Sequence, residues 1–169
     1  IVREDVTGLL NARLGTAAGG ETPTIGTVRE FAAGPAAGAR APDGRVTIAG
    51  TSGTTRLVSE LDTTKSTVLL FDGRSASPDG YARFVAIDAA VRERFGSSVE
   101  TAVVTPRNVR PPELAASIKV FLDESGELEQ KYAATTECVY VVRPDLWIGY
   151  RAQPVSEEKL LAWLKIFLR

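Results

Sequence analysis

Residues 68–81 read VLLFDGRSASPDGY, and this stretch decides the fold prediction. The run 66–71 is apolar and includes β-branched residues, a composition typical of a strand that is buried on both faces. Residues 77–79, Ser-Pro-Asp, match a helix start, because they supply a capping hydroxyl, a proline at the first helical position and an acid in the first turn. The stretch therefore predicts a buried strand, a short loop and a helix over 78–95, which Gly96 ends.

Strands and helices also alternate through the rest of the chain. Five further strands and one segment that is either a strand or a helical turn are predicted, with a helical turn or two in the region 123–132. The predicted strands are 46–48, 99–105, 118–122, 138–142 and 147–151, and the ambiguous segment is 55–61. A last helix begins after Ser156, a good N-cap that is followed by Glu157 and Glu158 at the positive end of the helix dipole.

The order of these elements indicates the fold class. A parallel βαβ half comes first, and an antiparallel hairpin with a final helix follows it. Together the two halves predict an α/β domain whose mixed β-sheet is flanked by helices. This arrangement resembles the thioredoxin-like fold.

The first part of the chain differs from the rest in composition. Residues 2–14 place four apolar side chains on one helical stripe: Val6, Leu9, Leu10 and Leu14. Residues 15–45 are rich in Gly, Ala, Thr and Pro, which indicates linker or surface coil. We expect a helical piece and linker over 1–39 and the thioredoxin-like domain over 40–169. Because the chain does not begin with Met, we also expect it to be a fragment of a longer protein.

Composition excludes several function classes. The 169 residues carry a net charge of −1, no histidine and one cysteine, Cys138. The lack of histidine excludes Ser-His and Cys-His nucleophiles and most zinc and iron sites, while a single cysteine excludes a CxxC pair or an intrachain disulfide. The charge balance and the absence of a long apolar run give no reason to expect nucleic acid or a membrane as partner. One cysteine makes a reducing, cytoplasmic location the simplest expectation.

The loop after the buried strand stands where thioredoxin-like proteins keep their redox thiols. Here that loop reads Arg74-Ser75-Ala76-Ser77-Pro78, and serine forms neither a thiolate nor a disulfide. We expect Ser77 to cap the helix, with anion binding at the helix N-terminus, assisted by Arg74, as the alternative. Before the strand 138–142, where this fold usually has a cis-proline, the chain has Thr-Thr-Glu. We therefore predict no catalytic, cofactor-binding or metal-binding residues.

Three other features have two interpretations each. Cys138 is either a peroxidatic or sensor thiol or a small buried residue, and the second is favoured because no resolving cysteine accompanies it. The segment VRPDLWIGYRA is either a ligand surface or a hairpin that turns at Pro144-Asp145 with aromatics packed across its strands. Trp163 and Phe167 belong either to a partner-facing patch or to the core.

Two motifs point to a family. GPAAGARAPDGRV, residues 34–46, precedes TSGTTRLVSEL and STVLLFDG, and VVRPDLWIGYRAQP, residues 141–154, precedes the last helix. Over roughly residues 34–169 the chain resembles the C-terminal domain of FAD-dependent aromatic-ring hydroxylases of the phenol hydroxylase, hydroxyphenylpropionate or pentachlorophenol monooxygenase type. Leu146 departs from the family pattern, which often has Gly after this Asp.

The resemblance implies a thioredoxin-like domain without thioredoxin activity. In such enzymes the N-terminal domains handle FAD, NAD(P)H and the phenolic substrate, and the C-terminal domain is associated with dimer contacts and scaffolding. The chain has no GxGxxG fingerprint, so both cofactors are expected only in the parent enzyme. The partners implied are the flavin domains of the same parent protein and a second copy. The alternatives are a peroxiredoxin-like redox protein that uses Cys138, and a small-ligand or peptide-binding module near Arg74 and the N-terminus of the helix 78–95.

Overall fold

The computed structural model describes residues 25–74 and 78–168 of the chain. Its helices are α1 (Ile25–Ala33), α2 (Pro78–Phe95), α3 (Glu127–Tyr132) and α4 (Glu157–Phe167), with a 3-10 turn over Leu57–Glu60. Its strands are β1 (Arg45–Ile48), β2 (Thr55–Arg56), β3 (Ser66–Phe71), β4 (Val99–Thr105), β5 (Lys119–Leu122), β6 (Cys138–Val142) and β7 (Ile148–Ala152). These bounds confirm the predicted strands, the long helix and the hairpin to within a residue or two.

The seven strands of the described ranges form one mixed sheet. Their order is β2-β1-β5-β4-β3-β6-β7. The three strands β3, β4 and β5 run parallel, whereas β1 pairs antiparallel with β5 and β6 pairs antiparallel with β3. The hairpin strand β7 pairs with β6 at the edge. This topology, with helices on both faces, confirms the predicted thioredoxin-like α/β class.

The strand predicted from the opening stretch lies at the centre of the molecule. All six residues of β3 are buried, and residues 68–71 alternate between hydrophobic clusters on opposite faces of the sheet. The cluster on the α2 and α4 face includes Val68, Leu70, Phe84, Leu160 and Leu164. The cluster on the α1 and α3 face includes Phe31, Leu69, Phe71, Leu128 and Tyr132. A strand in this position reads as a continuous apolar run because neither of its faces meets water.

The C-terminal helix begins as its sequence predicts. The side chain of Ser156 accepts a hydrogen bond from the backbone N–H of Lys159 at 3.4 Å. Val155 and Leu160, on either side of this cap, are buried in the same cluster. The predicted N-cap of α4 is therefore confirmed, since a local pattern of cap and apolar spacing was enough to specify it.

The coil expected over 15–45 is wrong for part of its length. Residues Ile25–Ala33 form α1, and Phe31 packs against the ring of Tyr140 with 5.6 Å between ring centroids. The guanidinium of Arg151 lies 4.4 Å from the centroid of the Phe31 ring. These contacts join segments more than a hundred residues apart, which is why the Gly- and Ala-rich composition concealed them. The predicted helix over 2–14 lies outside the described residues, and the domain division at residue 40 stays a prediction.

Candidate functional site

The loop after β3 meets the segment before β6 at a junction formed by residues 72–74 and 135–137. Gly73 has a φ of +71°, and a Cβ there would lie 2.7 Å from the Cα of Thr136. The backbone N–H of Arg74 donates to the carbonyl of Thr135 at 3.2 Å. The glycine is required because it supplies both the left-handed conformation and the space for two backbones to touch. This junction adjoins the loop 74–78, at which the sequence leads us to expect the redox thiols of a thioredoxin-like protein to lie.

A buried carboxyl group lies at this junction. Asp72 is only 6% exposed, and its Oδ2 accepts a hydrogen bond from the hydroxyl of Tyr81 at 2.7 Å. Its Oδ1 is buried without a hydrogen-bond partner among the described residues. Desolvation raises the pKa of Asp72, and the interactions with Tyr81, Thr105 and Arg107 oppose this rise without cancelling it. Burial and the neighbouring Asp72 likewise raise the pKa of Tyr81.

A second carboxyl group is paired beside the first. Glu137 Oε2 accepts from Arg83 Nη2 at 3.0 Å, and both side chains are mostly buried. Burial raises the pKa of Glu137, and the charge of Asp72 raises it further, although Arg83 acts in the opposite direction. The amide of Gln153 donates to the hydroxyl of Thr136. Several polar side chains therefore lie at the junction, and they form hydrogen bonds and an ion pair with other residues of the same chain.

Cys138 begins β6, one residue after this junction. It pairs across the sheet with Phe71, and it is 0% exposed. Burial raises its pKa well above the usual value, and the charges of Glu137 and Asp72 add to this effect. Thiol chemistry needs the thiolate and access to it, and this side chain has neither in the folded state. The interpretation of Cys138 as a small buried residue is confirmed.

The other candidate residues of the loop 74–78 are only partly within the described residues. Ser75 and Ser77, including the expected cap at Ser77, lie outside the described residues. Arg74 Nε lies 2.6 Å from Glu129 Oε1 in an ion pair whose arginine side chain is mostly exposed. Within residues 25–74 and 78–168 no group of three or more Cys, Asp or Glu side chains is placed to hold a metal ion.

The hairpin prediction is partly right. The backbone N–H of Leu146 donates to the carbonyl of Arg143 at 2.9 Å, which confirms a turn at Pro144-Asp145. Tyr150 is buried and packs on Trp163 with 5.6 Å between centroids, but Trp147 is 43% exposed. The expectation that both hairpin aromatics pack across strands is therefore wrong for Trp147, whose backbone forms a β-bridge with Arg40 while much of its side chain meets solvent.

The buried acid Asp72 is not among the residues that the sequence patterns single out. A carboxylate directly after a buried strand is the signal that could have revealed it, because such a position lies at the carboxyl edge of the parallel strands. No sequence pattern indicates that Glu137 lies at the junction, since its position there depends on the pairing of β6 with β3.

No helix within the described ranges is both long and apolar enough to cross a membrane. No family model matches the chain, and no curated protein matches it. The chain is nevertheless similar in structure to several proteins at low sequence identity.

One similar structure is a putative thiol:disulfide interchange protein DsbE from Chlorobium tepidum, at 14% identity and a TM-score of 0.62, over 80% of this chain and 99% of that chain. Another is a PrxQ variant from Xylella fastidiosa, at 12% identity and a TM-score of 0.63, over 80% of this chain and 98% of that one. The reduced 2-Cys peroxiredoxin of Plasmodium vivax is 12% identical with a TM-score of 0.61, over 78% and 96% of the two chains. At such identities the likeness concerns the fold alone, and the described part of this chain is a thioredoxin-like α/β domain.

Proposed function

We propose that this chain is a thioredoxin-like module without thiol activity, which serves as a structural domain of an FAD-dependent aromatic-ring hydroxylase. In this proposal the flavin domains of the parent protein are its partners, a second copy joins it in a homodimer, and FAD and NAD(P)H bind elsewhere in the parent. The observation that carries the proposal is the content of the junction. Beside the loop 74–78, where the thioredoxin-like resemblance leads us to expect redox thiols, the chain has a buried carboxyl, an ion pair and a glycine contact.

The hairpin supports the assignment to the hydroxylase family. Leu146 has a φ of +65°, a left-handed conformation that an L-residue adopts only with strain. The family pattern often has Gly at this point of the VRPDxxIGYR motif. A turn that requires a left-handed residue explains why the pattern favours glycine, so the departure at Leu146 preserves the geometry of the motif.

The second candidate is a peroxiredoxin-like redox protein that uses Cys138. Its support is the likeness to PrxQ and to 2-Cys peroxiredoxin, and none of the similar structures named above is a hydroxylase. The burial of Cys138 and its raised pKa oppose this candidate, because peroxide must reach a thiolate. The comparisons thus favour the second candidate, whereas the chemistry of the junction favours the first.

A peroxide-consumption assay separates the two candidates. The chain is assayed with hydrogen peroxide and a thiol reductant, as wild type and as Cys138→Ser. We expect equal and negligible rates for both, since the thiol is inaccessible. A rate in the wild type that Cys138→Ser abolishes would establish the redox candidate and overturn our proposal.

The hydroxylase assignment needs its own experiment. The residues encoded before Ile1 are determined, and the whole parent protein is purified and compared with this chain. We expect the parent to retain FAD, seen in its visible absorption, and to oxidise NAD(P)H, whereas the chain alone does neither. A parent protein without a flavin domain would contradict the assignment, and so would tight FAD binding by the isolated chain.

A further inference from the structure

One buried side chain anchors the second half of α1 to the domain. Among residues 29–33, Phe31 is 9% exposed, and the other four residues are exposed. The centroid of the Phe31 ring lies 5.6 Å from that of Tyr140 and 4.4 Å from the guanidinium of Arg151. The attachment of this half of the helix therefore depends on a single ring that lies against an aromatic side chain and a cation.

The helix α1 has little stability of its own. It is nine residues long, and isolated helices shorter than about 12 residues are marginal in water. Its sequence, IGTVREFAA, includes Gly26, Thr27 and Val28, which are poor helix formers. Its first turn has no acidic residue and its last turn has no basic one, so side-chain charges do not compensate the helix dipole. The helix therefore relies on the contacts of Phe31.

The chain that follows α1 is attached to the domain separately. Three backbone hydrogen bonds of 2.8 Å join residues 38–41 to residues 146–148 of the hairpin. Between these bonds and the helix lies the short connection 34–37, in which the carbonyl of Pro35 accepts from Arg151 Nη1 at 2.9 Å. Residues 38–41 can thus stay in place when α1 leaves, because none of their three hydrogen bonds involves the helix.

The surface beneath Phe31 belongs to the sheet and does not need α1 for its shape. Tyr140 of β6 and Arg151 of β7 are directly paired across the two strands. The hydroxyl of Tyr140 also donates to the carbonyl of Tyr132 at 2.6 Å, which fixes the ring from the side of α3. In the closed state Arg151 is 6% exposed and Tyr140 is 0% exposed. Departure of α1 would therefore uncover a guanidinium and an aromatic ring that are already in position.

We propose that α1 is a strap that detaches and recloses as a unit while the sheet stays folded, and that it controls the exposure of Arg151 and Tyr140. Segments with few buried apolar contacts open locally at a lower free energy than the whole domain unfolds. This inference does not rest on the proposed function, since it concerns a hydroxylase domain and a redox protein alike.

Hydrogen exchange of the full chain, read by mass spectrometry, tests whether the strap opens independently. We expect the amides of α1 to exchange faster than those of the central strand β3, although slower than those of an unstructured peptide. Ile87→Val weakens the cluster on the α2 and α4 face, which stays intact when the strap opens. This variant is expected to speed exchange in β3 about fivefold and to leave exchange in α1 unchanged.

A second variant tests the anchor. Phe31→Ala removes the ring that holds the closed state, and we expect exchange in α1 to become faster by a factor on the order of a hundred. Modification of Arg151 by phenylglyoxal, located by peptide mapping, is expected to become faster as well. The matched control is the same substitution at Phe167, which is 40% exposed at the surface of α4. Phe167→Ala is expected to leave both rates unchanged.

Four results would overturn the proposal. In the first, Ile87→Val speeds exchange equally in α1 and β3, so that the helix opens only when the whole domain unfolds. In the second, α1 of the wild type exchanges like an unstructured peptide, so that the strap does not close. In the third and fourth, Phe31→Ala matches Phe167→Ala in the exchange of α1 or in the modification of Arg151.

Discussion

At the residue scale the informative groups are two carboxyls of the junction, the buried Asp72 and the mostly buried Glu137. One oxygen of Asp72 accepts a hydrogen bond from Tyr81, and the other has no hydrogen-bond partner among the described residues. Glu137 forms an ion pair with Arg83. A buried carboxyl with a raised pKa holds its proton more tightly in the folded state than in the unfolded state. Asp72 therefore costs stability as it ionises, and this cost makes the junction sensitive to pH.

The substitution Asp72→Asn tests this cost. The folded-state pKa is raised, so the wild type loses stability as pH rises from the ordinary carboxyl range through the raised value, and the loss is complete above it. Asparagine cannot ionise and still accepts from Tyr81. We expect urea unfolding at a series of pH values to show the stability of Asp72→Asn rising relative to wild type as the pH increases above the ordinary carboxyl range.

The control for this measurement is Asp145→Asn, which removes an exposed carboxylate from the hairpin turn. A difference between Asp72→Asn and wild type that stays constant across the pH range would contradict the prediction, because a purely structural effect of the substitution does not titrate.

At the element scale, the hairpin between β6 and β7 has the expected turn residues but a leucine where the backbone conformation favours glycine. Pro144 and Asp145 are ordinary turn residues, and the turn forms where they predict it. The strained residue is Leu146, with its φ of +65°, and its side chain packs against the cluster on the α1 and α3 face. Packing thus holds a leucine in a conformation that glycine would adopt freely.

Comparing Leu146→Gly with Leu146→Ala separates the two effects. Both variants lose the packing of the leucine side chain, but only glycine escapes the strain of the left-handed conformation. We expect the glycine variant to be more stable than the alanine variant by about 1 kcal/mol, measured by thermal or urea unfolding. An alanine variant as stable as the glycine variant would mean that the turn relaxes away from this conformation.

At the scale of the whole molecule, the segment before residue 40 is joined to the far end of the chain. Phe31 contacts Tyr140 and Arg151, and Arg151 Nη1 donates to the carbonyl of Pro35 at 2.9 Å. The tertiary contacts of α1 thus link β6 and β7 to residues that the composition assigns to a linker.

The substitution Phe31→Ala measures this link. It opens a cavity in the cluster on the α1 and α3 face, and we expect a loss of about 3 kcal/mol in the free energy of unfolding, read from urea melts. Val109→Ala, at a site that is 61% exposed, is the control and is expected to change stability by less than about 0.5 kcal/mol. If Phe31→Ala behaved like this control, the part before residue 40 would not belong to the folding unit.

Much of the architecture follows from local signals. The run 66–71 predicts β3 to the residue, and Ser156 with its apolar spacing predicts α4, since burial on both faces and a capped amphipathic helix each leave a direct trace in the order of residues. The absence of histidine and of a second cysteine also constrains the chemistry from composition alone.

The remaining features depend on contacts that no local window contains. The helix α1 exists in a Gly- and Ala-rich stretch because Phe31 finds its partners in β6 and β7. Asp72 and Glu137 become neighbours only because β6 pairs with β3, and the same pairing removes Cys138 from solvent. The order of the residues by itself determined the elements, their sequence and the supply of a single cysteine, whereas the tertiary structure decided which side chains share a site, since burial and pKa depend on neighbours brought together across the sheet.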